Sequence, residues 1–148
     1  MYQKILIATD GSELACKGVE QGLALAALLH SSVVAVTVSE PVINVYDDGL
    51  GWSHAGVASS EYQQAIAAGA RKILDAVVGK AAQAGVAATP LHVVERFAAE
   101  AIIEAAEAHG CDLIVMASHG RRGLGRLLIG SQTNEVLTRS KVPVLVIR

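Results

Sequence analysis

The sequence predicts an α/β fold: a doubly wound, five-stranded parallel sheet in the order 3-2-1-4-5 with helices on both faces. Three observations carry this. Short, mainly aliphatic runs at residues 5–8, 32–38, 113–117 and 142–147 lack a polar alternation, as strands covered on both faces do. Between the runs lie segments of helical length whose apolar residues recur every three or four positions. The apolar fraction is 52% but aromatics make up only 3%, an aliphatic balance suited to a helix-covered sheet.

Each element has a local reason. Residues 5–8 form the first strand, which stops at Thr9-Asp10-Gly11-Ser12. There Ser12 or Asp10 can cap the following helix, and Glu13 favours its first turn. That helix is expected to reach residue 30, with Leu14, Val19, Leu23, Ala26 and Ala27 inward. Residues 32–38 form the second strand, ended at Ser39-Glu40-Pro41 because the proline disfavours helix at Glu40. Residues 41–56, rich in Gly, Asp and Pro, read as a long loop of the functional kind. Helical periodicity resumes over 59–84, with Ile66, Ala70, Ile73, Leu74, Val77 and Val78 on one side. Gly69 and Gly79 weaken its continuity, and Gly85 caps it.

Residues 89–94 form the third strand, where Pro90 suits an edge position. A helix over 98–109 turns Ala98, Ile102, Ala105 and Ala106 inward and closes at Gly110. The fourth strand (113–117), a Gly-studded loop, a helix over 131–140 and a last strand (142–147) complete five β/α repeats.

At 148 residues one domain, spanning 1–148, is expected. The longest helix-like apolar run, 23–29, is far short of the ~20 residues of a membrane span, and the first residues carry no signal-peptide pattern. A soluble, cytoplasmic protein with no membrane partner is therefore expected. Cys16 and Cys111 have no metal or redox spacing and read as buried or half-buried free thiols. The net charge is −2, but residues 121–148 hold six Lys/Arg against one acidic residue. A nucleic-acid surface would be larger and interleaved with aromatics, so the basic loop points to a small anion.

A strand that ends in a turn beside a helix start is a natural anion site, because the first backbone N–H groups of a helix lack internal partners and face the positive end of its dipole. Here the phosphates of a nucleotide are expected between the 117–123 turn, from Ala117 to Gly123, and Gly130-Ser131, with Arg121, Arg122 and Arg126 adding charge. The predicted strand order switches direction between strands one and four. That brings Ala8-Thr9-Asp10 beside Met116-Ala117-Ser118. Asp10 could contact a ribose, help hold a metal on the phosphates, or simply cap the first helix. His119 reads as a phosphate contact or a structural residue, not a base, because the adjacent side chains of Ser118 and His119 are expected to point apart. Residues 120–127 lack the Lys and Ser/Thr of a P-loop, and the histidines have no zinc spacing.

With these residues in view, the chain resembles the universal stress protein family over essentially its whole length. The matching segments are residues 4–12 (KILIATDGS), 117–131 (ASHGRRGLGRLLIGS) and 141–147 (KVPVLVI). The ATP-binding branch carries Gly-x-x-Gly, nine residues, then Gly-Ser/Thr; Gly120, the gap and Gly130-Ser131 match, while Ala117 stands in place of the first Gly. The resemblance implies adenine contacts near Asp10 and Val38, ribose contacts near Asp10 and Ala117, and phosphate contacts along 118–122 and at Gly130, Ser131, Gln132 and Thr133. With Ala8, Thr9, Ser12 and Met116 these complete the candidate site. The expected ligand is ATP, ADP or AMP with magnesium, in a switch or sensor with slow or no hydrolysis. The resemblance also implies a homodimer through the last strand. A nucleotide-free dimeric interaction module of the same fold is the alternative, as is a nucleotide-hydrolysing or adenylate-forming enzyme on a related fold.

Overall fold

A computed structural model describes residues 1–41, 59–120 and 129–148. The elements follow in the order β1 (Lys4–Ala8), α1 (Glu13–Leu29), β2 (Ser32–Ser39), α2 (Ser60–Gln83), β3 (Ala88–Val94), α3 (Ala98–Ala108), β4 (Leu113–Ala117), α4 (Ser131–Arg139) and β5 (Val144–Ile147). The five strands form a sheet in the order β3-β2-β1-β4-β5, as expected from the sequence. All neighbours are parallel, with Ile7 opposite Ala35 on one side and Val115 on the other. The reading of 41–56 as a loop falls, beyond Pro41, outside the described residues.

Alternation along the strands sends successive side chains to two cores. Ile5, Ile7, Val33, Ala35, Leu113 and Val115 pack with Val19 and Leu23 of α1 and with Leu74 and Val77 of α2. Leu6, Val34, Val36, Ile114 and Met116 pack with Ile102 and Ala105 of α3 and Val136 of α4. Each fully buried Ile, Leu or Val adds about 1.5–3 kcal/mol of hydrophobic stabilisation.

α1 sits close on the sheet because its buried stripe is made largely of small residues: Ala15, Gly18, Val19, Gly22, Leu23 and Ala26. Leu14 and Ala27, expected inward, are only half-buried; Gly18 and Gly22, overlooked as spacers, take their place in the contact. A Cβ on Gly22 would lie 2.7 Å from Cδ1 of Ile7. In α3 Ile102, Ala105 and Ala106 are buried as expected, Ala98 is only half-buried, and Ala99 and Ala101 widen the buried stripe.

Helix ends follow the local chemistry. The Ser12 hydroxyl accepts from the Ala15 amide at 3.3 Å and caps α1. α2 runs unbroken through Gly69 and Gly79, which face open space and so cost helix propensity but no packing. Gly85 and Gly110 follow α2 and α3 with φ of 69° and 63°, the left-handed conformation that reverses a chain after a helix. β5 starts at Val144, not at residue 142 as expected. Val142 is held in a turn, its amide bonded to the Ser140 hydroxyl at 3.0 Å, and Pro143 offers no N–H to a ladder. Among the described residues no helix is long and apolar enough to cross a membrane.

Cys111 is buried, as expected, but Cys16 is exposed. It lies one position off the α1 stripe, on the outward side of Ala15.

Candidate functional site: the carboxyl ends of β1 and β4

The carboxyl ends of β1 and β4 meet where strand order reverses, the position at which open α/β sheets hold ligands. Leaving β1, the Thr9 amide donates to the carbonyl of Val36 at 3.0 Å and carries β1–β2 pairing one residue past the strand. The Thr9 hydroxyl then accepts from Gly11 at 3.2 Å, and Asp10 Oδ1 accepts from the Ser12 amide at 2.9 Å. These two short loops orient the Asp10 carboxylate. The sequence left Ser12 and Asp10 as alternatives for the cap; Ser12 caps α1 and Asp10 braces the turn before it. The other oxygen of Asp10 faces the second turn: a Cβ on Gly120 would lie 2.6 Å from Oδ2.

Leaving β4, three bonds lock the backbone. The Ser118 amide donates to the Ile147 carbonyl of β5 at 2.7 Å, the Gly130 amide donates to the Ser118 carbonyl at 2.8 Å, and the Thr133 hydroxyl donates to the Ala117 carbonyl at 3.0 Å. Gly130 is packed so tightly that a Cβ there would sit 3.3 Å from both His119 Cα and the Ser118 carbonyl oxygen. This contact brings the start of α4 onto the 118–120 turn. Gly130 is the N-cap of α4 and has no capping side chain; the helical ladder begins with Asn134 donating to the Gly130 carbonyl at 2.9 Å. The amides of residues 131–133 lie ahead of that ladder and form the positive end of the helix dipole.

The sequence-derived residues are placed as follows. Ala8, Thr9, Asp10, Ser12, Ala117, Ser118, His119, Gly120, Gly130, Ser131 and Thr133 cluster at this junction. Val38 lies near the end of β2, opposite Val93, on the face covered by α3 and α4. The Met116 side chain is buried in that same core, so any contribution from this residue comes through its main chain. Gln132 turns its carbonyl oxygen to the Ala99 amide of α3 at 2.9 Å. Arg121, Arg122, Gly123 and Arg126 lie outside the described residues. Ala117 is strand backbone in β4 and, unlike His30 and Glu95, does not have positive φ, so an alanine fits without strain where the family's motif has glycine.

One expectation fails. Ser118 and His119 do not point apart: Ser118 Oγ and His119 Nδ1 are 3.1 Å apart in a hydrogen bond. The chain leaves the strand at Ser118, so the alternation that separates neighbouring side chains no longer holds. The Gln132–Ala99 bond was also not anticipated. Its signal in the sequence is Phe97, which stands at the N-cap of α3 and cannot cap.

The candidate site is thus a junction of two turns in a doubly wound sheet, with the Asp10 carboxylate against Gly120 and the start of α4 against the 118–119 backbone. A sequence profile of the universal stress protein family matches residues 1–148, and the chain belongs to that family. It is 29% identical over its whole length to a universal stress protein of Methanocaldococcus jannaschii, covering 83% of that protein. Its fold is similar to the solved structure of protein MJ0577, with a TM-score of 0.80, 28% identity, and 99% of this chain matched to 96% of that one. It is also similar to a universal stress protein solved in complex with cAMP, with a TM-score of 0.70, 25% identity, and 99% and 97% of the two chains covered.

Proposed function

We propose that this universal stress protein binds an adenine nucleotide, ATP or its products, at the β1–β4 junction and acts as a nucleotide-dependent switch or sensor. The observation that carries the reading is the convergence of Asp10, the 118–120 turn and the start of α4, held together by the Gly130–Ser118 bond. The cAMP complex of a relative of similar fold supports an adenine nucleotide as the ligand class. In this reading the phosphates take the N–H groups of α4's first turn, and Asp10 faces the ribose or a magnesium ion. Magnesium fits the chemistry: it is bound by one or two carboxylates plus phosphate oxygens and water, and Asp10 supplies a carboxylate at the cradle. When bound, the ion would neutralise phosphate charge; Asp10's part is to be held in place by the Ser12 amide.

Hydrolysis is slow or absent in this reading. The Ser118–His119 bond ties the ring into the turn through Nδ1, and in this reading His119 is a phosphate contact or a structural part of the turn. The proposal includes a homodimer through β5. That strand is a sheet edge, and its Leu145 is 37% exposed, an apolar residue on an edge suited to a second copy.

Denaturing extraction of the purified protein, with chromatography of the released nucleotide, tests the ligand. Near-stoichiometric adenine nucleotide is expected. An empty extract together with no heat of binding for ATP, ADP or AMP would overturn it in favour of a nucleotide-free dimeric interaction module.

A further inference from the structure

The first turn of α3 is capped from outside its own segment. Phe97 occupies the N-cap position, and its side chain makes no capping hydrogen bond. Ala99 is nevertheless fully buried, and a buried amide needs an acceptor. It finds one in Gln132 Oε1 at 2.9 Å, 33 residues away in sequence. The preceding amide, Ala98, approaches Glu40 Oε1 at 3.5 Å. Two side chains thus reach the start of α3, one from just beyond the end of β2 and one from the first turn of α4.

Those two origins are the two flanks of the proposed cleft. Glu40 follows β2, where the adenine is expected near Val38, and Gln132 follows Ser131, where the phosphates are expected. We infer that Gln132 is a positioning residue: by capping α3 it sets how the first turn of α4 faces the cleft. This deepens the nucleotide reading and rests on it for the consequence in affinity, though not for the brace itself.

The physical case is the asymmetry of hydrogen bonding. Formed, the bond contributes modestly; with its acceptor removed, a buried N–H is left without a partner. α4 is only nine residues long, and a short helix depends on its tertiary contacts for its orientation. Farther along α4, Val136 packs in the core shared with Ile102 and Ala105 of α3, and Arg139 pairs with Glu100 at 3.6 Å, a surface pair of the weak kind. The Gly130–Ser118 and Thr133–Ala117 bonds tie the first turn of α4 to the end of β4, and Gln132 ties that turn to α3.

The test compares Gln132→Leu, which removes the acceptor, with Gln132→Glu, which keeps an oxygen for the Ala99 amide and adds charge that suits a helix N-terminus. Amide hydrogen exchange is read at Ala99 and at Asn134, whose amide closes the first turn of α4 on the Gly130 carbonyl, and ATP affinity by calorimetry. In Gln132→Leu, exchange at Ala99 and in the first turn of α4 should rise on the order of tenfold, with ATP binding weakened several-fold. In Gln132→Glu, protection at both helix starts should stay at the wild-type level. Unchanged protection in Gln132→Leu would overturn the inference. So would loss at Ala99 alone, with Asn134 still protected, which would reduce Gln132 to a local cap. If the wild-type protein binds no nucleotide, the functional reading falls, while the exchange pattern still decides the brace.

Discussion

The carboxylate of Asp10 lies against Gly120, with room between them for a hydrogen but not for a methyl group: a Cβ on Gly120 would sit 2.6 Å from Oδ2. This contact joins the turn after β1 to the turn after β4. Asp10 cannot swing aside freely, because its other oxygen is held by the Ser12 amide at 2.9 Å.

Gly120→Ala should therefore displace Asp10 and break that Ser12 bond. A cost of about 1 kcal/mol in stability is expected, the usual worth of one such hydrogen bond. The effect on ATP should be larger, a loss of tenfold or more by calorimetry, because the turn and the carboxylate move together. Wild-type affinity in this variant would place the ligand away from Asp10.

His92 gives the chain a pH dependence. Its Nε2 lies 2.8 Å from the Ser39 hydroxyl, and partial burial pushes its imidazole below the ordinary value. The folded state thus disfavours the proton that the unfolded chain accepts near pH 6.5. Above that pH both states hold a neutral ring and the residue adds no pH dependence. As pH falls below about 6.5 the unfolded state binds the proton first, and stability declines until the folded-state value is passed. Urea unfolding at pH 7.5 and 5.5 should show this decline, and His92→Gln should flatten it. An equal decline in the variant would assign the effect to other groups.

The two thiols should separate cleanly in reactivity. Cys16 is exposed, whereas Cys111 is buried, and its burial raises the thiol's pKa, which suppresses the reactive thiolate. A thiol reagent at neutral pH should label Cys16 alone in the native protein and both residues in denaturant. Fast native labelling of Cys111 would mean that the strand at Leu113 opens readily, contrary to its place in the core.

The sheet and its order were legible because each strand is a short aliphatic run punctuated by its own stop. Residues 9–12 end β1, Pro41 follows β2, and Gly85 and Gly110 end the helices before β3 and β4. The turns of the candidate site were legible where they rest on local backbone: Asp10-Gly11-Ser12 and Gly130-Ser131 have their chemistry written in adjacent residues. What could not be read are contacts that exist only once elements are packed. The Gln132–Ala99 bond needs α3 and α4 side by side, and the Asp10–Gly120 contact needs β1 beside β4. The burial of α1 was misjudged for a related reason. Gly18 and Gly22 contribute no hydrophobic side chain, so a count of apolar residues passes over the surface where the helix comes closest.

The bond from Ser118 to the Ile147 carbonyl has a practical corollary for anyone handling this protein. Residue 147 pairs opposite Ala117, so whatever is joined after Arg148 emerges at the rim of the cleft, whereas Met1 precedes β1 at the opposite end of the parallel sheet. A purification handle belongs at Met1, where it stays clear of the candidate site. A fluorophore at residue 148 would instead sit close enough to test whether a nucleotide enters the candidate site.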